Sequence, residues 1–298
     1  VRSAPWTEAA VLAITLAWGL SFVVIPHALE DTGVLTLTAL RMGVGTVAGL
    51  VLLRPRILTA DRRTWGYGLL GGACLTVAYV LQTAGLRSAG SGDSAFLTAF
   101  YVTLVPILDA AVHRRWPSPR DLVALSVATV GIALIAVDPG AHLHLGFGES
   151  LVALSAVFWA AQIVVVGRVA ATADPGALAV IQIGVIAVVA GAALPFFPEK
   201  PVRWSGELVA SVFFLGYVTC ALAFAVQAWA QRRIAPTRAA ILFSPEPVFA
   251  ALAGWWFRDE MFGPRKFTGA ALVVAAVVLV LLPQRRRADT AGPVPSAP

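Results

Sequence analysis

Ten long apolar runs, each bounded by charged or turn-forming residues, organise almost the whole of this sequence, at 9–27, 34–53, 66–86, 94–112, 122–137, 149–167, 177–196, 207–230, 238–257 and 267–283. A hydrocarbon core of about 30 Å is crossed by roughly 20 helical residues at about 1.5 Å per residue. Each run reaches or nearly reaches that length, the fifth being the shortest. Membrane-barrel strands would alternate polar and apolar residues over about ten positions, whereas these runs are continuously apolar. Inside lipid the backbone must find its hydrogen-bond partners within the segment, which selects helix. The pattern predicts an all-α membrane protein with ten transmembrane helices. Composition agrees, with 58% hydrophobic and only 13% charged residues.

Where the few charges sit carries the next inference. Of the 22 Lys and Arg, all but Arg41 lie between or at the ends of apolar runs, and they form no continuous basic stripe, so nucleic acid is set aside as a partner. With a cytoplasmic N-terminus, fifteen of them fall on inside segments: Arg2; Arg54, Arg56, Arg62 and Arg63; Arg114, Arg115 and Arg120; Arg168; Arg232, Arg233 and Arg238; Arg285, Arg286 and Arg287. Six fall outside, at Arg87, Lys200, Arg203, Arg258, Arg265 and Lys266. The bias predicts both termini inside and therefore an even number of spans. The first run is followed by nine more and is read as a helix rather than a signal peptide. Cys74 and Cys220 each lie within an apolar run and make no disulfide framework. Residues 284–298, rich in Arg and Pro, are expected to be a disordered cytoplasmic tail whose arginines meet lipid headgroups.

The chain also resembles itself. An offset of 145 residues pairs Gln82 with Gln227, Arg87 with Arg232, Ala95 with Ala240, Leu97 with Leu242, Pro119 with Pro264, Arg120 with Arg265 and Leu134 with Leu279. An offset of 141 pairs Glu8 with Glu149 and Trp18 with Trp159. Five is odd, so a second five-helix copy must enter the membrane the other way round. The sequence therefore predicts two inverted five-helix repeats, 9–137 and 149–283, an architecture suited to opening alternately to either side. Coincidence among abundant Ala, Leu and Val is the competing explanation, and the polar and proline matches weigh against it.

Several motifs quoted together resemble the EamA-type branch of the drug/metabolite transporter superfamily. They are Trp18-Gly19 with Ser21-Phe22, Ala39-Leu40-Arg41, Ala95-Phe96-Leu97 through Val105-Pro106, Ser244-Pro245-Glu246-Pro247-Val248-Phe249-Ala250, and Gly269-Ala270-Ala271. The likeness spans roughly residues 9–283. It implies ten helices in two inverted halves and the movement of small metabolites, often outward. Two departures are visible: Trp159-Ala160 replaces a second Trp-Gly, and Arg114-Arg115 follows the fourth helix where Asp259-Glu260 follows the ninth.

Two ionisable residues lie deep in apolar runs, where each costs at least about 2.5 kcal/mol. Arg41 is seven residues into the second run and Glu246 about nine into the ninth, roughly 10 and 13 Å deep on opposite counts, so their levels differ by only about 6 Å. Arg41 is a candidate fork for a substrate carboxylate. Glu246 is a candidate amine or proton site. Alternatively the two neutralise each other, or bond backbone freed by a broken helix. Pro245 and Pro247 flank Glu246 and predict a break there, with Pro106 at nearly the corresponding place in the first half. Trp18, Trp159, Tyr101 and Gln82, with Tyr79, Gln162 and Gln182, are candidate cavity residues. Gly45 and Gly49 suggest close helix contact.

Enzyme motifs fail on context. Gly66, Gly68 and Gly71 match dinucleotide spacing but open an apolar run with no strand before them. His142 and His144 share a short loop without further ligands, so no metal is expected. No nucleotide-binding segment or other cofactor site is found. The sequence thus predicts a secondary transporter, not an enzyme: a multi-pass protein of the cytoplasmic membrane that exports a small amino acid-like or amphipathic metabolite by alternating access. Its partners are the solute, membrane lipid and, as a candidate, protons. A non-transporting scaffold or receptor is the alternative.

Overall fold

A computed structural model describes residues 5–89, 91–114, 116–136, 146–258 and 261–282. Arg115, His142, His144, Asp259, Glu260 and the tail 284–298 lie outside the described residues. The described chain is helical: α1 (Pro5–Asp31), α2 (Val34–Ala48), α3 (Arg62–Gly85), α4 (Ser91–Thr98), α5 (Tyr101–His113), α6 (Pro119–Ala136), α7 (Phe147–Val169), α8 (Pro175–Ala193), α9 (Gly206–Phe213), α10 (Ala223–Gln231), α11 (Pro236–Phe243), α12 (Glu246–Arg258) and α13 (Pro264–Leu281). A π-helical turn, Gly49–Leu53, prolongs α2, and a longer one, Phe214–Leu222, joins α9 to α10 into one rod.

Among the described residues, nine helices are long and apolar enough to cross a membrane: Trp6–Asp31, Val34–Leu53, Arg62–Gly85, Ser94–Val112, Phe147–Val169, Pro175–Phe196, Gly206–Gln231, Pro236–Phe257 and Pro264–Leu281. Helix α6, 18 residues long, overlaps the fifth and shortest apolar run. It carries Arg120 and Asp121 in its first turn. Local signals start several helices. The Asp61 carboxylate accepts the Thr64 N–H at 2.8 Å, the Asp174 carboxylate accepts the Ala177 N–H at 2.8 Å, and the Ser205 hydroxyl accepts the Leu208 N–H at 3.0 Å.

Packing follows the rule for membrane helices, in which apolar side chains cover the outside and small residues let backbones meet inside. Val47, Leu69, Val188 and Trp256 project outward, while Ala156, Ala160, Ala179, Ala223 and Ala239 are buried. Helix α3 packs along α7 and α8, α2 along α8, α6 along α13, and α1 along α12. Gly45 of α2 faces Gly216 of the long π turn so closely that a Cβ on Gly45 would lie 2.5 Å from the Gly216 carbonyl oxygen. That neighbour is backbone and cannot rotate away. Gly49, the other member of the pair, faces Val180 and Ala221.

One end of the bundle is closed by a polar clasp. The loop after α8 brings Glu199 onto the start of α2, where its carboxylate accepts from the Leu35 N–H (2.9 Å), the Thr36 N–H (2.8 Å) and the Thr36 hydroxyl (2.8 Å). Lys200 donates to the last carbonyls of α1, Leu29 (2.6 Å) and Glu30 (2.8 Å). Arg203 pairs with Asp31 at 2.7 Å, and the Ser205 hydroxyl donates to the same carboxylate at 2.7 Å. Anion at a helix N-terminus and cation at a C-terminus are each the favourable sign. Partial burial pushes the Glu199 carboxyl up, but its donors together outweigh that and hold it below the ordinary 4.5.

Two tests follow from these contacts. Gly45→Ala is expected to destabilise the detergent-solubilised protein by about 1–3 kcal/mol through overpacking. Gly43→Ala, where a Cβ meets nothing within 4 Å, should leave the unfolding curve unchanged and is the control. For Glu199, folding lowers the carboxyl pKa, so its contribution is complete above the unfolded value and is lost as pH falls through the lower folded value. Thermal unfolding scanned from pH 6 down to about pH 3 should therefore show less acid destabilisation in Glu199→Gln than in the natural protein; parallel curves would remove Glu199 from the clasp.

Candidate functional site

The two interrupted helices set the site. Helix α4 ends at Thr98 and α5 begins at Tyr101; α11 ends at Phe243 and α12 begins at Glu246. The intervening residues, Ala99 with Phe100 and Ser244 with Pro245, correspond one to one under the 145-residue offset. Pro245 has no N–H to continue the ladder. In the first half the break departs from the expectation at Pro106, which lies inside α5. The turn falls earlier, where the Val102 N–H reaches the Ala99 carbonyl at 2.9 Å and the Thr103 N–H the Phe100 carbonyl at 3.0 Å. One missing donor at Pro106 does not end a helix whose neighbours hold it in place.

Tyr101 and Glu246, the first residues of α5 and α12, meet each other. The Tyr101 hydroxyl donates to Glu246 Oε2 at 3.1 Å, joining positions that are themselves 145 residues apart. Glu246 is 7% exposed. Gly19 makes room for it: a Cβ there would lie 2.6 Å from the Phe249 Cβ and 2.9 Å from the Glu246 carbonyl oxygen, so α1 rides directly on the first turn of α12.

Arg41, 1% exposed, lies on α2 beside the same space. Its Nη2 donates to the Thr83 hydroxyl at 2.8 Å, and its guanidinium carbon stands 4.6 Å from the centre of the Tyr79 ring. Nε has no hydrogen-bond partner. Among the described ion pairs none joins Arg41 to Glu246, and the carboxylate's hydrogen bond goes to Tyr101 instead.

Aromatic rings wall the space. In the π turn the Ala223 N–H points to the Val218 and Cys220 carbonyls, passing over Thr219. The indole N–H of Trp18 donates to the Thr219 carbonyl at 2.8 Å. Trp18 also meets Phe243 edge-on at 5.2 Å. Trp159 meets Tyr79 edge-on at 4.8 Å and stacks on Phe224 at 6.4 Å, but its indole N–H is buried without a partner.

Amides complete the lining. Gln82 donates to the Thr98 hydroxyl at 3.0 Å. A chain of four buried glutamines runs from the cavity into the bundle: Gln227 donates to Gln162 (3.0 Å) and to Gln231 (3.2 Å), Gln162 to Gln182 (2.9 Å), and Gln231 to the Ile163 carbonyl (2.8 Å). Ser21, Phe22, Ile25 and Ile163 also line the central space, a cavity of about 40 Å³. Trp18, Arg41, Tyr79, Gln82, Tyr101, Trp159, Gln162 and Glu246 all line it. Pro106, Pro245, Pro247 and Gln182 do not. Pro245 and Pro247 instead bracket the residue that does. Sequence reasoning missed Thr98, Thr219 and Gln227 as lining residues, although Gln227 is the repeat mate of Gln82 and that pairing was the available signal.

Breaking the amide chain tests its cohesion. Gln162→Leu strands the Gln227 donor and the Gln182 acceptor, and at about 1–3 kcal/mol for each buried unsatisfied group the loss should be roughly 2–6 kcal/mol. Denaturation in detergent would measure it, and an unchanged midpoint would mean that water enters the chain.

Comparisons with known proteins accord with this arrangement. The EamA-like transporter family matches the chain twice, over residues 5–137 and 146–282. A protein of Archaeoglobus fulgidus described as an uncharacterized transporter is 24% identical over 279 residues, covering 93% of this chain and 86% of that one. A solved crystal structure superposes with a TM-score of 0.76 at 18% identity, covering 93% of this chain and 98% of the other. At that identity the likeness concerns the fold alone.

Proposed function

The chain belongs to the EamA-like transporter family, and from that premise we propose that this multi-pass membrane transporter carries a small amino acid-like or amphipathic metabolite through the Arg41–Glu246 cavity by alternating access, as an exporter of the cytoplasmic membrane. The observation that carries the reading is the Tyr101–Glu246 hydrogen bond at the matching helix breaks. Two residues related by a two-fold operation touch each other only near its axis. A bond between positions one repeat apart therefore supports a pseudo-two-fold axis passing close to Tyr101 and Glu246. On this reading α6 is the fifth of ten spans, and 9–137 and 149–283 are the inverted halves. Binding sites of inverted-repeat transporters gather at the repeat interface, at interrupted helices.

Clasps that cross between the halves supply the moving parts. At one end Glu199, Lys200 and Arg203 hold the α1–α2 turn. At the other, Arg238 of α11 pairs with Asp121 of α6 at 3.4 Å, and the Thr237 hydroxyl donates to Asp109 of α5 at 3.3 Å. With the positive-inside bias, both termini are cytoplasmic and the Glu199 clasp is external. Exchange between inward and outward access is the opening of one clasp while the other stays closed. Glu246 is the candidate proton-coupling group.

Uptake and efflux of labelled amino acids and related metabolites in proteoliposomes, at two imposed pH gradients, tests this. The natural protein should move at least one solute. Glu246→Gln, still folded, should lose the gradient dependence, and Arg41→Gln should lower flux by at least about tenfold, the equivalent of about 1.4 kcal/mol. Full activity in both variants would make the charges structural. No flux of any solute would favour a membrane scaffold or receptor.

A further inference from the structure

The fully buried, unpartnered side-chain groups on the cavity-lining residues are of one kind. Among the described residues, two buried side-chain groups without a partner belong to residues that line it, Arg41 Nε and Trp159 Nε1, and both are donors. The other lining donors are engaged: Trp18 with Thr219, Gln82 with Thr98, Tyr101 with Glu246, and Gln227 with Gln162. No lining acceptor is left buried and unpartnered. A guanidinium has five N–H groups and is always charged. Here one bond, to Thr83, and the face of Tyr79 are its described polar contacts.

The open donors flank one ring. The Arg41 guanidinium carbon is 4.6 Å from the Tyr79 centroid and the Trp159 ring centroid 4.8 Å from it, so both residues pack on the same tyrosine. Phe224 lies nearly parallel to Trp159, with planes 15° apart, and holds the plane of the indole. The rest of the lining includes the apolar Phe22, Ile25 and Phe243 together with engaged polar groups, among them Glu246 bonded to Tyr101. We infer that Arg41 and Trp159 form a carboxylate subsite, and that the cargo is an organic monocarboxylate with an apolar or aromatic body. This rests on the transporter reading of the same cavity and narrows its substrate class. An ammonium group brings donors to a corner that already has donors in excess. A doubly charged phosphate would leave one charge without a counter-ion, whereas a planar carboxylate matches the fork of the guanidinium.

Three probes of one shape separate these cases: 3-phenylpropanoate, 3-phenylpropanamide and 3-phenylpropylammonium, titrated calorimetrically into the detergent-purified full chain at neutral pH. The carboxylate is expected to bind at least about tenfold tighter than the other two, which is about 1.4 kcal/mol. Arg41→Gln should erase the preference. Arg41→Lys, which keeps the charge but not the fork, should weaken carboxylate binding while retaining the rank order, and Trp159→Phe should weaken it by at least about tenfold, the loss of a hydrogen bond to a charged group. Those two conservative variants keep the test alive should Arg41→Gln not fold, as judged by its elution profile and helical circular dichroism. Equal binding of the amide or the ammonium overturns the inference, as does a preference that survives in folded Arg41→Gln, or no binding of any probe. Flux of labelled 3-phenylpropanoate into proteoliposomes separates the two readings. Binding without flux of this or any solute sinks the transporter and leaves the subsite; flux of another solute without carboxylate binding sinks the subsite alone.

Discussion

In hydrocarbon no water is available to a backbone N–H or C=O, and that single constraint orders this molecule. It makes every long apolar run a helix. It also restricts where a helix is interrupted, because freed backbone groups need either protein partners or a lined cavity. The two turns, at Ala99 with Phe100 and at Ser244 with Pro245, lie inside the bundle, and their flanking residues border the central space. The nine-residue π stretch Phe214–Leu222 obeys the same rule, since the Thr219 carbonyl that the Ala223 N–H passes over is met by the Trp18 indole.

Polar groups are concentrated where interruptions occur, and this connects packing to function. Small residues bring α2 against the π stretch at Gly45 and Gly216, and α1 against α12 at Gly19. Those close approaches carry Arg41 and Glu246 to the edge of one cavity. Without a hydrophobic driving force between helices in lipid, such packing and the buried amide chain supply the cohesion that an apolar core supplies in water. The clasps at the two ends are built differently, from charged residues paired with helix termini and with each other. Those contacts lie at the bundle ends, each with a partly exposed partner, and cost less to break than the glutamine chain in the middle costs to leave unsatisfied.

Much of this was legible in the sequence. Span positions followed from apolar length: the run read as 34–53 is the helix Val34–Leu53 with its π turn included, and 207–230 is nearly Gly206–Gln231. Arg41 and Glu246 stood out because charge in such runs is rare. The aromatic pair Trp18 and Trp159 stood out through self-similarity, and both line the cavity. Other features left no local mark. The first-half break sits at Ala99 and Phe100, residues with no special backbone preference, while the more conspicuous Pro106 stays within a helix. The Glu199 clasp joins residues more than 160 positions apart and depends on where the loop after α8 comes down.

The sequence by itself determined the solvent, the secondary structure, the approximate span boundaries and the identity of the costly buried groups. Each of these depends on local length and on transfer free energies, which are properties of a segment alone. Tertiary structure alone decided the partners. It put Glu246 on Tyr101 rather than on Arg41, tied Gln162 to Gln182 and Gln227, and left the Nε of Arg41 and the indole N–H of Trp159 open beside one ring. Depth along a helix can be counted from sequence to within a turn, but the direction a side chain faces depends on helix rotation and on which small residues let neighbours approach. Those are set by packing over the whole bundle, and a difference of a few ångströms there separates an ion pair from two unpaired charges.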